Sequence, residues 1–335
     1  MTKTRAIALG VVVLLAAFVC GLLVGPVRIA PIDAFRWLVS FGGRPGGVSE
    51  QDATILANIR LPRVIVAGLV GAALSASGAA YQAVFRNPLA DPYLLGAAAG
   101  AGLGATIAVA FGPGSAFAIT VPLAAFVGAV GGVGLAYALG RSSLGGRSST
   151  SLILGGIAVA SFLTAVQTFI QQQRSETLRQ VYTWILGRLG TTGWDDATIA
   201  VPSVVIAVAS LWLVRRLLDV VEVGELEAES LGLHVARLRL VVVVAASLAT
   251  AAAVSVAGLI GFVGIIVPHT VRLLAGSSYR QVLPLSVLFG ASFLILVDVV
   301  ARTAVAPAEI PIGVITAFLG APFFVVALRR SGRVA

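Results

Sequence analysis

Apolar stretches of about 20 residues, the length that crosses a bilayer as a helix, recur along this sequence from one end to the other. They lie near 6–25, 61–85, 93–112, 117–140, 151–171, 197–217, 239–257, 258–274, 281–304 and 311–328. Only 11% of residues are charged and 58% are hydrophobic, whereas a soluble domain carries about 25% charged residues. The expected fold is an all-α polytopic membrane protein with about ten transmembrane helices, in one integral domain over residues 1–335. The first stretch follows Lys3 and Arg5 as a signal peptide would, but it is longer than the usual apolar core of one and reads as a retained helix. Cys20 is the only cysteine, so no disulfide can form within the chain.

The net charge of +9 does not point to nucleic acid, because the basic residues are scattered at the ends of spans. With the N-terminus in the cytoplasm, alternation through the spans puts 14 of the 23 Lys and Arg inside and the remaining 9 outside, the sign expected of cytoplasmic loops. Both termini and a charged island over 218–238 are then cytoplasmic, and the longer connections, 26–59 and 172–196, face outward. Five spans in each half would allow inverted halves, although no repeat of fixed period is present.

The island is the part that calls for a partner. Glu225, Glu227 and Glu229 alternate within a helix-prone segment between two apolar spans, which suits a surface that meets a protein in water. Elsewhere the chain offers turns and seams. Gly96, Gly100 and Gly104 form a small-residue series at helical spacing, read as packing seams together with Gly128/Gly132 and Gly258/Gly261/Gly264. Asn87-Pro-Leu-Ala-Asp91-Pro92 is a turn in which Asp91 caps the third span. Arg60, Arg63 and Arg302 stand at outer span ends, either as docking points for carboxylates or as interfacial anchors with an Asp298/Arg302 pair. Pro268 lies within the eighth span and is expected to kink it, and His269 beside it reads as a packed polar residue. The Gly/Ser-rich connection 141–150 is a gate or a plain loop.

Absences narrow the function further. Lys3 is the only lysine, so a Walker A phosphate loop cannot form and the chain does not itself hydrolyse ATP. His234 and His269 are the only histidines, which excludes an HExxH zinc site. Asp298 is the only acidic residue placed well inside a span, thin material for an ion relay.

Taken in order, Arg60-Leu-Pro-Arg63, Gly71-Ala-Ala-Leu-Ser-Ala-Ser-Gly78, Asn87-Pro-Leu-Ala-Asp-Pro-Tyr-Leu-Leu-Gly96, Leu178-Arg-Gln-Val-Tyr-Thr-Trp184, Gly261-Phe-Val-Gly-Ile-Ile-Val-Pro-His269, Asp298-Val-Val-Ala-Arg302 and Glu309-Ile-Pro-Ile-Gly-Val-Ile-Thr316 form a specific combination. From about residue 60 onward the chain resembles the FecCD-type permeases, the membrane subunits of ABC importers for iron-siderophores, haem and vitamin B12. The resemblance implies a type II ABC importer permease fold in the cytoplasmic (inner) membrane. It also implies a second permease subunit, in a homodimer or a close heterodimer with the homodimer the first reading, with two ABC ATPase subunits docked below and an extracytoplasmic substrate-binding protein above. No cofactor or metal is expected. By the same resemblance a coupling helix over about 220–234 offers Gly224, Glu225, Glu227, Ala228, Glu229, Leu231 and Gly232 to the ATPase. Arg60, Arg63 and Arg302 meet acidic residues of the binding protein, and Ser149 and Thr150 belong to a cytoplasmic gate. Two other readings compete. An ion-coupled carrier would work without an ATPase, and an intramembrane enzyme would need paired catalytic groups at one depth.

Overall fold

A computed structural model describes residues 3–40, 47–112, 117–142 and 149–331. The described chain is helical, with no strand among those residues. The helices are α1 (Lys3–Leu23), α2 (Pro31–Val39), α3 (Glu50–Thr54), α4 (Leu61–Val84), α5 (Ala97–Phe111), α6 (Phe117–Ser142), α7 (Ser149–Gln173), α8 (Leu178–Ile185), α9 (Trp194–Val223), α10 (Glu225–Ser230), α11 (Val235–Ala257), α12 (Val263–Ala275), α13 (Tyr279–Thr303) and α14 (Ile312–Ser331). A π-helical turn, Ile55–Arg60, joins α3 to α4 without a break.

Each apolar stretch overlaps one of these helices. Among the described residues seven segments are long and apolar enough to cross a bilayer: α1, α3 running into α4, α6, α7, α9, α11 and α13. The other three, α5, α12 and α14, are shorter apolar helices. At 1.5 Å per residue the 30 residues of α9 extend about 45 Å, so this helix carries its last turns beyond a hydrocarbon core of about 30 Å.

α4 is the axis of the bundle. Nearly every residue from Pro62 to Val84 is buried, which requires helices on all sides and small residues where they cross. Gly71 lies against the backbone of Gly290 in α13, and Gly78 against that of Gly264 in α12. A Cβ at either would fall within 2.2 Å of the opposing carbonyl oxygen. Such approaches replace the hydrophobic effect, which has no purchase between helices already in lipid, with close dispersion contact. The same device joins α5 to α6, where Gly100 packs on Gly128 and Gly104 on Ala124. Gly96 serves differently: it precedes α5 with φ +79°, a left-handed conformation suited to glycine.

Two expected spans begin later than their composition suggests. The third span begins as α5 at Ala97, and Asp91 does not cap it; its carboxylate accepts the N–H of Tyr93 at 2.7 Å within the preceding turn. The eighth starts at Val263, after an irregular segment over 258–262, so Gly258 and Gly261 are not part of a helix-packing seam. Gly258 has φ +74° and Phe262 φ +67°. Non-helical backbone is tolerated within a membrane protein only where protein partners satisfy it. Here the Tyr93 hydroxyl donates to the Ile260 carbonyl at 3.1 Å and lies 3.2 Å from the Ile260 N–H that donates to it, and the Arg188 N–H donates to Ala257 O at 2.9 Å. The 13 residues of α12 cover only about 20 Å, and the extended break supplies the rest of the passage. Pro268 sits inside this uninterrupted helix, and His269 meets the Phe323 ring edge-on at 5.5 Å.

Candidate functional site

The chain presents two polar ends. At one, α9 and α11 are joined through α10. Gly224 is extended, with φ 165°, and α10 then makes less than two turns. Its exit is a Schellman motif: Gly232, at φ +82°, donates to Glu229 O at 2.9 Å and Leu233 donates to Ala228 O at 3.0 Å. Ala228 is fully buried against the bundle, and Glu225 reaches the buried Arg239 guanidinium at 2.5 Å. These contacts fasten a helix too short to be stable by itself.

What α10 turns outward is the more informative face. Glu227 and Glu229 are exposed, and so are Leu226 at 80% and Leu231 at 77%. Two leucines this open beyond the end of the apolar bundle, flanked by carboxylates, form an apolar knob with an acidic rim. The residues expected to face the ATPase include Leu231 but not Leu226, because the sequence of so short a segment does not tell which of its leucines turn outward. They also include Glu225 with the outward carboxylates, whereas this one is held by Arg239.

Nearby contacts keep the platform rigid. Asp219, near the end of α9, accepts from the Tyr279 N–H at the start of α13, from the Ser278 hydroxyl at 3.0 Å, and pairs with Arg280 at 3.4 Å. Arg272 of α12 donates to Gln82 of α4, to Pro88 O at 3.3 Å and to the Tyr279 hydroxyl at 3.1 Å. Of the expected gate residues, Ser149 opens α7, its side chain lying outside the described residues, and Thr150 is exposed at the same end.

The opposite end gathers Arg60, Arg63 and Arg302, and all three guanidiniums point into the protein. The last four carbonyls of any helix lack intrahelical donors. At the end of α1 each finds one: Cys20 O takes the Val24 N–H at 2.9 Å, Gly21 O takes Arg302 at 2.6 Å, and Leu22 O and Leu23 O take Arg60 at 2.6 and 2.9 Å. Arg60 also donates to Val27 O. Two cations thus face the negative end of the α1 dipole.

Arg63 instead joins two carboxylates. Its Nε lies 3.0 Å from both oxygens of Asp298, its Nη2 donates to Asp298 Oδ1 at 2.8 Å and to Glu309 Oε2 at 2.9 Å, and its Nη1 donates to Glu309 Oε1 at 2.9 Å. Side-chain exposure is 6% for Arg63, 1% for Asp298 and 37% for Glu309, so only the glutamate looks out. The expected Asp298/Arg302 pair is the weaker contact, at 3.6 Å. A cavity of about 240 Å³ opens over this cluster, with Arg188, Gly190 and Glu309 in its wall. Arg188 is itself bound to Asp196 at 2.5 Å. No group of three metal-ligating side chains occurs among the described residues.

The chain matches the FecCD transport family over residues 13–330. It is 38% identical over 335 residues to an uncharacterized ABC transporter permease protein of Bacillus subtilis (strain 168), covering 99% of this chain and 95% of that one. It is 37% identical over 325 residues to the vitamin B12 import system permease protein of Escherichia coli O127:H6, covering 96% and 94%. The Fe(3+)-citrate import system permease protein of Bacillus subtilis (strain 168) is 36% identical over 310 residues, covering 92% and 90%. Among solved structures, one assigned as a metal-chelate type ABC transporter in an inward-facing conformation superposes with a TM-score of 0.85 at 28% identity, covering 98% of this chain and 99% of that one. The chain belongs to the FecCD transport family and is a permease subunit of an ABC transporter.

Proposed function

We propose that this permease carries a ferric chelate, haem or corrinoid inward as one half of a homodimer, driven by two separate ATPase subunits that grip α10. The observation that carries the reading is the α10 knob. Exposed Leu226 and Leu231 supply the apolar centre of a small interface, and Glu227 and Glu229 supply a polar rim that steers association. Gly224, Glu225, Ala228 and Gly232 set the shape of that knob from below. The short helix is fixed to both α9 and α11, so a push on it is delivered to two spans at once. Ser149 and Thr150, at the same end, fit a gate that such a movement opens or shuts.

This places the α10 end, with both termini, in the cytoplasm, supported by the excess of arginine at that end. The cargo class is supported by relatives named for vitamin B12 and Fe(3+)-citrate import. Coupling needs ligands that favour different states, and ATP and a loaded binding protein fill that role.

Docking of the binding protein at Arg60, Arg63 and Arg302 takes a particular form in this conformation. Each guanidinium already has acceptors in its own chain, and Glu309 is the exposed member at Arg63. A carboxylate of the binding protein reaches Arg63 by displacing Glu309. Charge reversal at Arg60 or Arg63 would therefore disturb the fold as well as docking, and Glu309→Gln is the cleaner variant: it weakens the internal competitor and is expected to raise binding-protein affinity a few fold in a surface-binding assay at fixed salt. Unchanged or lower affinity would contradict the exchange.

An ion-coupled carrier is not favoured. Asp298, the acidic residue such a carrier would rely on, is buried with both carboxylate oxygens engaged by Arg63. To test the cargo, the permease and its ATPase are placed in nanodiscs with the binding protein. ATP hydrolysis should rise several fold with one of a ferric siderophore, haem or cobalamin, and stimulation by none would exclude the class.

A further inference from the structure

We propose that the cavity beside α10 is a site for the phosphate of an anionic phospholipid, with its acyl chains lying along α11. This rests on the orientation given above, which puts the cavity at the cytoplasmic boundary of the membrane. The space is about 450 Å³, between the ends of α6 and α7 and the start of α11.

Three arginines line it: Arg141, Arg237 and Arg239. Arg239 is bound to Glu225. Arg141 lies over the Tyr137 ring at 5.9 Å, and neither it nor Arg237 has a carboxylate partner among the described residues. Among the described residues the single carboxylate in the wall is Glu229, on α10. Counting Glu225 with its arginine, the three cations outnumber the two anions by one, 3 − 2, the charge that one phosphodiester cancels.

The start of α11 adds to this. Val235 and Ala236 also line the cavity, and the N-cap His234 makes no side-chain capping bond. The Val235 and Ala236 N–H groups, the first of this 23-residue helix, have no backbone acceptor among the described residues and favour an anion, whereas the Arg237 N–H is taken by His234 O at 3.0 Å. Basic pockets between transmembrane helices on the cytoplasmic side suit phospholipid headgroups. A free phosphate would fill the mouth alone, and the structure favours a lipid because the site continues into an apolar strip. Leu240, in the cavity wall, and Val244 and Leu248, four and eight residues on, are exposed on one face of α11.

The test is native mass spectrometry of the delipidated, detergent-solubilised chain titrated with phosphatidylglycerol, phosphatidylcholine or inorganic phosphate. Wild type should bind one phosphatidylglycerol at least tenfold more tightly than phosphatidylcholine, and Arg141→Gln/Arg237→Gln should lower that affinity at least tenfold at unchanged Tm. Arg215→Gln/Arg216→Gln, at the same end on α9, should leave it unchanged. Equal binding of the two lipids, no loss in the cavity variant, equal loss in the α9 variant, or displacement of lipid by millimolar phosphate would overturn the proposal. Capture of the ATPase is scored on the same samples. Wild-type capture without selective lipid binding refutes the lipid site alone, whereas failed capture refutes the coupling reading beneath it.

Discussion

Replacing Arg63 with Met is expected to abolish recovery of folded protein. Among the described residues Arg63 is the only group that hydrogen-bonds the Asp298 carboxylate, which is 1% exposed, and removing one partner of a buried ion pair costs about 3–5 kcal/mol because the other charge stays behind without its hydrogen bonds. A domain has only about 5–15 kcal/mol in reserve. Arg302, at 3.6 Å, does not replace the lost bonds. Arg63→Lys keeps the charge but not the fork that holds two carboxylates at once, and should recover an intermediate amount. In Arg63→Met/Asp298→Asn the stranded charge is gone and part of the yield should return. Fluorescence-detected size exclusion and the thermal midpoint in detergent rank these variants. Wild-type behaviour of Arg63→Met would show that the cluster does not hold α4 and α13 together.

The second large effect falls on α10. Leu226→Asp/Leu231→Asp changes two side chains that touch little of their own chain, so the permease should fold and insert as before. If these leucines are the centre of the ATPase interface, each replaces a contact worth about 2 kcal/mol or more with a desolvated charge, and every 1.4 kcal/mol is about tenfold in affinity. A loss of at least a hundredfold in ATPase affinity is expected for the pair. Glu227→Gln/Glu229→Gln, at the rim, should change affinity by a few fold and flatten its salt dependence. Equal losses in both variants would mean that charge and not apolar contact holds the ATPase.

The sequence made the spans plain because lipid imposes a length and a composition that few other folds share. It concealed the break at 258–262. Gly258-Leu-Ile-Gly-Phe262 is as apolar as the helices beside it, and what unwinds it is set by distant partners such as the Tyr93 hydroxyl. The three arginines show the same limit from another side. Their positions at span ends were legible, but a guanidinium that can serve an external carboxylate serves a helix C-terminus equally well. Only the fold shows Arg60 and Arg302 facing the carbonyls of α1, and Arg63 facing Asp298 and Glu309, 235 and 246 residues away. In the island, charge marked the partner-facing segment, yet the alternation of glutamates did not tell the inward Glu225 from the outward Glu227 and Glu229. That division follows from the packing of Ala228.

The most direct measurement is uptake into proteoliposomes carrying the permease, its ATPase and lumenal ATP, with the loaded binding protein added outside. Each account makes its own demand on the same vesicles. Accumulation that requires both ATP and the ATPase, and that falls to background with Leu226→Asp/Leu231→Asp, is the result expected of a permease worked through α10. Accumulation by the permease alone, driven by an ion gradient and indifferent to the α10 substitutions, would contradict it.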